Sequence, residues 1–362
     1  MPAAALVFAF FASGLVLFAT GHDALSSYRR LFDAAFLNKG AIGDTLVSAT
    51  PLAFTGLAAA AAFRMRLFNI GGEGQLYIGA ITGSAAGLYF GGSGGASAFA
   101  IAAMVVAGCA GGAAWALIPG FLRAFCRTNE IITSLMLNYV AGYLLTYLIF
   151  NTESYWRQTT GFNASVFPTS KTLPSSAVWP AENVHVHGGV ALPLGAGLAV
   201  LAAVLLWVLY TRTRFGFEAT VLGDSPRAAR YAGMRTRRKI LAVMAISGGL
   251  AGLGGASQVG DFRHQLDADP NGMQRQFYGY SGIVVAALAR YNPLAVLPVA
   301  FLIGGLQNAG NSLQGADFPS GLVGVVEGII LFSALGFEMF ARYRIRVTRR
   351  QRAGAAPAPE AT

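Results

Sequence analysis

Ten stretches of this chain are apolar over roughly the 20 residues that a helix needs to cross hydrocarbon. A chain carrying them must satisfy its backbone polar groups inside helices, because lipid offers no partners. They lie at 1–20, 41–63, 72–90, 97–119, 131–150, 188–210, 240–259, 277–289, 293–312 and 319–340, the eighth being short for a full crossing. This segmentation predicts an all-α, polytopic membrane bundle of about ten helices. Only 12% of the 362 residues are charged, about half the share usual for soluble domains, which argues against a water-soluble enzyme. Residues 1–20 have no basic n-region and no small-x-small cleavage site, so they read as a retained helix and not a signal peptide. The missing basic flank suggests a translation start upstream of Met1.

The net charge of +10 is carried by short basic stretches between the spans, as in proteins whose orientation is set by charge, and not as in a nucleic-acid-binding face. Alternation puts 64–71, 120–130, 211–239, 290–292 and the tail beyond 340 on one side, with 19 of the 26 Lys and Arg residues. The other side, 21–40, 91–96, 151–187, 260–276 and 313–318, has seven. The first set is therefore expected in the cytoplasm, with both chain ends. Residues 1–345 form the expected membrane domain, with 151–187 as an extracytoplasmic loop and 211–239 as the longest cytoplasmic loop. Residues 346–362, ending in Ala, Pro and Gly with one Glu, are expected to be a disordered cytoplasmic tail. Gly79, Gly83 and Gly87, Gly248 with Gly252, and Gly324 with Gly328 recur every four residues, which predicts close helix approach.

Several chemistries find no support. Cys109 and Cys126 are the only cysteines, too few for a disulfide scaffold or a four-ligand metal site. His185 and His187 lack further ligands and read as a solvated loop. No lysine lies in a phosphate-binding G-x-x-x-x-G-K-[ST] loop, so any ATP hydrolysis belongs to another subunit. No catalytic constellation occurs in a span, and no metal or cofactor is expected. The acids within spans are Asp44, Glu73, Glu327 and Glu338, of which Glu73 and Glu327 sit away from span ends.

The segment 64–80, Arg-Met-Arg-Leu-Phe-Asn-Ile-Gly-Gly-Glu-Gly-Gln-Leu-Tyr-Ile-Gly-Ala, joins the second and third spans. Irregular, glycine-rich backbone beside a charge is tolerated in a membrane only within protein or along a wet cavity. Glu73 has two readings: a cap on the first turn of the third span, or part of a packed elbow beside a transport path. Gln307, Asn308, Asn311 and Gln314 form a polar stripe at helical spacing, suited to bonding between helices or to a cavity. Asn138 and Tyr139 in the fifth span allow the same two readings, and Tyr139 or Tyr143 could stack on a nucleobase. Within 211–239, Asp224 or Ser225 can cap a helix that has Pro226 in its first turn and Gly233 at its end. At two turns, that helix needs a surface to dock on.

Residues 51–80, PLAFTGLAAAAAFRMRLFNIGGEGQLYIGA, resemble the signature of ABC importer permeases for nucleosides and simple sugars, in the branch carrying FNIG-x-EGQ. Thr128–Ala141 is similar to that family's TNE-x-I-x-x-x-MLNY-x-A segment. Gly223–Met234 resembles its cytoplasmic G-x-N-P-x-AARYAG-[IM] loop, with Asp224-Ser225 replacing other small polar residues. Gly282 to Leu294 is similar to its I-A-V-A-L-L-G-x-x-NP-L stretch, with Ala289-Arg290 in place of the usual small pair. The matches run in the family's order from about residue 40 to 340.

The resemblance implies a ten-helix permease of the type II ABC importer kind. Its implied partners are a homologous second permease, a cytosolic ATP-binding subunit and an extracytoplasmic solute-binding lipoprotein, with cargo of nucleosides, related purines or sugars. It also implies that 211–239 couples to the ATPase through Asp224, Pro226, Arg227, Ala229, Arg230, Tyr231 and Gly233, with Ala229 and Tyr231 near the contact. Asn69, Glu73, Gln75, Asn138, Tyr139, Asn308 and Asn311 are the candidates for the substrate path. The alternative is an ion-coupled transporter that binds its coupling proton at Glu73 or Glu327.

Overall fold

The computed structural model describes residues 2–151, 153–160, 168–184, 190–268 and 277–313, with isolated positions between 324 and 336. The regular structure of the described chain is helical apart from one hairpin and two isolated β-bridges. Its long helices are α1 (Pro2–Ala19), α3 (Ala41–Phe63), α4 (Gly72–Phe90), α5 (Ala98–Phe121), α6 (Glu130–Phe150), α7 (Leu194–Arg212), α10 (Thr236–Ser257) and α12 (Pro293–Ser312), with the short α11 (Tyr278–Leu288). Six of these, α3, α5, α6, α7, α10 and α12, are long and apolar enough to cross a membrane. The tenth expected span, with Glu327, lies outside the described residues apart from isolated positions.

Burial sorts these helices into an inner set and an outer set. Of the apolar window of α3, 78% is enclosed, against 22% for α5 and for α6. Leu52, Phe54 and Leu57 of α3 and Leu76 of α4 are fully buried. Small residues allow this density. A Cβ at Gly79 would collide with the backbone of Gly252, and one at Gly252 would meet the Gly108 carbonyl and the Gly112 backbone, so α4, α5 and α10 touch main chain to main chain as expected. Gly324 and Gly328 differ: a Cβ at either meets nothing within 4 Å. That pair makes no close approach among the described residues.

Three expectations need correction. Residues 21–40 are not a plain loop. Asp23 caps α2 (Ala24–Phe32) by accepting from the Ser26 N–H at 2.8 Å, which holds its carboxyl below the usual carboxylate range. The helix runs on through a π-helical turn, Asp33–Leu37, and Leu31, Ala34 and Ala35 pack with Leu17 of α1 and Ala309 of α12. The span expected at 188–210 begins later, because 190–193 is a strand. There β1 (Ala181–Val184) pairs antiparallel with β2 (Val190–Pro193), and α7 starts at Leu194. His185 and His187 lie outside the described residues. Finally, α10 continues past its expected end in a π-helical turn, Gln258–Arg263, stopped by His264 at φ 54°. Residues 170–179 fold over that end, with Trp179 N–H donating to Gly260 O at 3.0 Å and Leu173 N–H to His264 O at 2.7 Å.

The short α11 starts inside the bundle. Thr55 Oγ1 donates to Tyr278 O at 2.8 Å, and Thr55 is eight residues before the end of α3, about 12 Å along a helix axis. Tyr291, just past α11, stacks edge-on against Phe63 at the end of α3. So α11 descends from mid-bundle to the face that carries the 64–71 turn. On that face lie α8 (Arg214–Asp224) and α9 (Pro226–Tyr231).

Candidate functional site

The elbow between α3 and α4 climbs into the bundle before α4 begins, which leaves the first N–H groups of α4 away from water. Asn138 satisfies one of them, and Asn69 the N–H of the residue just before the helix. Asn69 Oδ1 accepts from Gly71 N–H at 3.0 Å and from Gln75 Nε2 at 2.9 Å, while its Nδ2 donates to Gln75 Oε1 and to Ser247 Oγ of α10. Asn138 of α6 accepts from Gly74 N–H at 2.9 Å and donates to Ile70 O at 2.8 Å. Ser134 Oγ accepts from Ile70 N–H. Asn69, Gln75 and Asn138 are all buried, so the elbow is bonded on every side by protein.

Glu73 therefore does not cap α4. Its Oε1 accepts from Tyr77 Oη and its Oε2 from Gly279 N–H, both at 2.5 Å. The Tyr280 N–H also bonds this carboxylate. Glu73 thus caps α11, where a carboxylate meets free N–H groups and the positive end of a helix dipole. Space for this exists because Gly279 has no side chain: a Cβ there would strike Glu73 N. Asn138 Nδ2 lies 3.1 Å from Tyr280 Oη, so α4, α6, α10 and α11 meet in one polar knot. As a proton-binding group Glu73 is fully engaged by protein donors, and Glu327 is outside the described residues.

The other path candidates lie elsewhere. Asn308 Nδ2 donates to Thr45 Oγ1 at 3.2 Å, tying α12 to the first turns of α3 and fitting the helix-bonding reading of the polar stripe. Asn311 is exposed, and Gln314 lies outside the described residues. Tyr139 faces outward from α6, as do Tyr143 and Tyr147. Ser134, Ser247, Tyr77, Gly279 and Tyr280 belong to the knot but were not singled out from sequence. Tyr77, one turn after Glu73, had the only local signal.

On the 211–239 loop, Ser225 and not Asp224 caps α9, accepting from Ala228 N–H at 3.4 Å. Pro226 occupies the first turn, and Gly233 ends the helix at φ 73° with Met234 N–H returning to Ala229 O. Asp224 pairs with Arg66 at 2.9 Å. Ala229 is 0% exposed, its side chain packed with Met65, Leu67 and Leu222 of the same chain. The surface needed by this short helix is thus the chain's own 64–67 turn. Arg227, Arg230 and Tyr231 project outward, Tyr231 at 99% exposure.

Residues 41–335 match the family described as branched-chain amino acid transport system, permease component. The chain is 32% identical to the glucose ABC transporter permease protein TsgB13 of Haloferax volcanii, over 99% of this chain and 92% of that one. It is 33% identical to the guanosine ABC transporter permease protein NupP of Bacillus subtilis, over 91% of each chain. It is 30% identical to the nucleoside ABC transporter permease protein NupB of Lactococcus lactis, over 92% of this chain and 89% of that one.

Proposed function

We propose a cargo, partners and an orientation for this chain from one premise: it belongs to the family of permease components of branched-chain amino acid transport systems. It is a multi-pass transmembrane subunit of an ATP-binding cassette importer. The cargo we assign is nucleosides or chemically related purines and simple sugars. The observation that carries this is similarity at 30–33% identity, along nearly the whole chain, to permeases named for guanosine, nucleosides and glucose.

The chain moves solute and leaves hydrolysis to a cytosolic ATP-binding subunit, since no phosphate-cradling loop is present in its sequence. A solute-binding lipoprotein delivers cargo from outside. A homologous second permease covers the apolar outer faces of α5 and α6, and Tyr139 with Tyr143 borders the path between the two subunits, where an aromatic ring can stack on a base. Asn69, Glu73, Gln75 and Asn138 act one layer behind, holding the N-termini of α4 and α11 at mid-bundle. Asn308 secures α12, with Asn311 at its outer end. Arg227, Arg230 and Tyr231 of α9 meet the ATPase, and Asp224, Pro226, Ala229 and Gly233 shape and seat that helix. The cytoplasmic placement of 64–71, 120–130, 211–239 and both termini follows from the 19-to-7 division of basic residues.

Uptake of labelled nucleosides, purines and pentoses by cells with and without this gene tests the cargo. Selective loss of nucleoside-like uptake is expected in the deletion strain; equal uptake of the whole panel by both strains contradicts the assignment.

A further inference from the structure

The structure carries a cavity, outside the polar knot, between the first turn of α8 and the start of α10. Its volume is about 730 Å³, and its walls include Arg214, Phe215 and Phe217 on one side and Arg235, Arg238 and Lys239 on the other. Its charge is one-sided. The single acid in its wall, Glu218, is held by Lys239 at 2.8 Å. Arg214, Arg235 and Arg238 have no carboxylate within 4.0 Å among the described residues. Three arginines therefore line one space whose single carboxylate is already taken up by Lys239.

Depth points to the occupant. Two apolar spans meet the polar phase here: α7 ends at Arg212, whose guanidinium lies over the Trp207 ring at 5.8 Å, and α10 opens with Thr236-Arg-Arg-Lys239 before its apolar run. A tryptophan and arginines at span ends mark headgroup level. The cavity is also partly apolar: Lys239 Nζ sits 4.0 Å over the Phe215 ring, and Phe217 is 66% exposed. A free phosphate would use the arginines and leave Phe217 in water. A phospholipid uses both, its phosphate on the arginines and its glycerol and first methylenes on the phenylalanine.

We propose that this cavity binds the headgroup of an anionic phospholipid of the cytoplasmic leaflet through Arg214, Arg235 and Arg238, with Phe217 against the start of the acyl chains. The bound lipid bridges α8 to α10 directly beside Met234 and Gly233, at the end of α9, so it braces the element that faces the ATPase. Basic pockets between membrane helices are suited to this kind of headgroup.

The test uses the complete purified assembly in mild detergent, equilibrated with phosphatidylglycerol or phosphatidylcholine, with bound lipid counted by native mass spectrometry. Phosphatidylglycerol is expected to be retained and phosphatidylcholine lost. Arg235→Gln/Arg238→Gln should weaken phosphatidylglycerol retention about thirtyfold. Arg127→Gln/Arg290→Gln, which removes equal charge from exposed positions that do not line the cavity, should leave it unchanged. Phe217→Ser should weaken lipid binding without altering the response to inorganic phosphate. Equal loss in both double variants, equal retention of both lipids, or complete displacement by millimolar inorganic phosphate would each overturn the proposal. So would retention by the permease alone but not by the complete assembly, which would assign the cavity to an acidic segment of the ATPase.

Discussion

The carboxylate of Glu73, in the first turn of α4, accepts the N–H of Gly279, in the first turn of α11, at 2.5 Å across 206 residues of sequence. A side chain from the first turn of one helix thereby caps the other, and the glycine at position 279 lets their backbones come together. This contact joins the FNIG-x-EGQ elbow to the half-length helix of the second half of the chain.

Glu73→Gln should assemble better than Glu73→Leu. The amide oxygen of Gln can still accept from Gly279, whereas Leu leaves that N–H without its acceptor in a dry site. An unpaired buried donor costs about 1–3 kcal/mol, so Glu73→Leu should lower the unfolding temperature of the purified assembly well below that of Glu73→Gln. Identical unfolding temperatures would show that the carboxylate does not hold the knot.

Gly279→Ala should be as damaging as a change in the core, although it adds one methyl group. The new Cβ meets Glu73 backbone, and overpacking of this kind costs about 1–3 kcal/mol. Gly95→Ala, where a Cβ meets nothing within 4 Å, is the matched control. Thermal unfolding and yield of assembled complex should separate the two; equal behaviour would contradict the close approach of α4 and α11.

The exposed and buried faces of α9 should give different phenotypes. Ala229→Glu places a carboxylate among Met65, Leu67 and Leu222 and should destabilise the permease itself, because a buried unpaired charge is costly. Tyr231→Ala should leave stability within about 0.5 kcal/mol, as exposed substitutions usually do, yet reduce co-purification of the ATPase. Unchanged co-purification and unchanged coupling of hydrolysis to uptake in Tyr231→Ala would remove α9 from the ATPase contact.

Orientation can be read by thiol labelling in a background with Cys109 and Cys126 changed to Ala. Ser93 and Ala228 are exposed and lie on opposite sides of the proposed topology, whereas Ser170 is fully buried and unsuitable. An impermeant reagent on intact spheroplasts should label Ser93→Cys and spare Ala228→Cys. The reverse pattern would invert the bundle.

Hydropathy alone located α3, α4 and α12 to the residue and most other long helices closely, because a membrane leaves few ways to satisfy a 20-residue apolar backbone. The same signal missed α2, whose nine residues alternate charge and apolar contacts too briefly to register. It also placed the start of α7 in what is a strand, since 190–193 is apolar in either conformation. At the elbow, Asn69, Glu73, Gln75 and Asn138 were recognisable as polar residues that a membrane would not leave unpaired. Their partners were not, because Ser247 and Gly279 lie far along the chain and no local pattern marks them. Ala229 shows the same limit: helix propensity put it on α9, but the face it turns inward is set by Met65 and Leu67 of another turn.

Dependence of uptake on ATP is the property that sets an importer of this kind apart from an ion-coupled transporter. It is tested most directly in proteoliposomes holding the complete assembly, with the binding lipoprotein outside and ATP on the side of loop 211–239. Labelled nucleoside should accumulate only with hydrolysable ATP and should continue when ionophores collapse proton and sodium gradients. Accumulation driven by an imposed ion gradient without ATP would contradict the account.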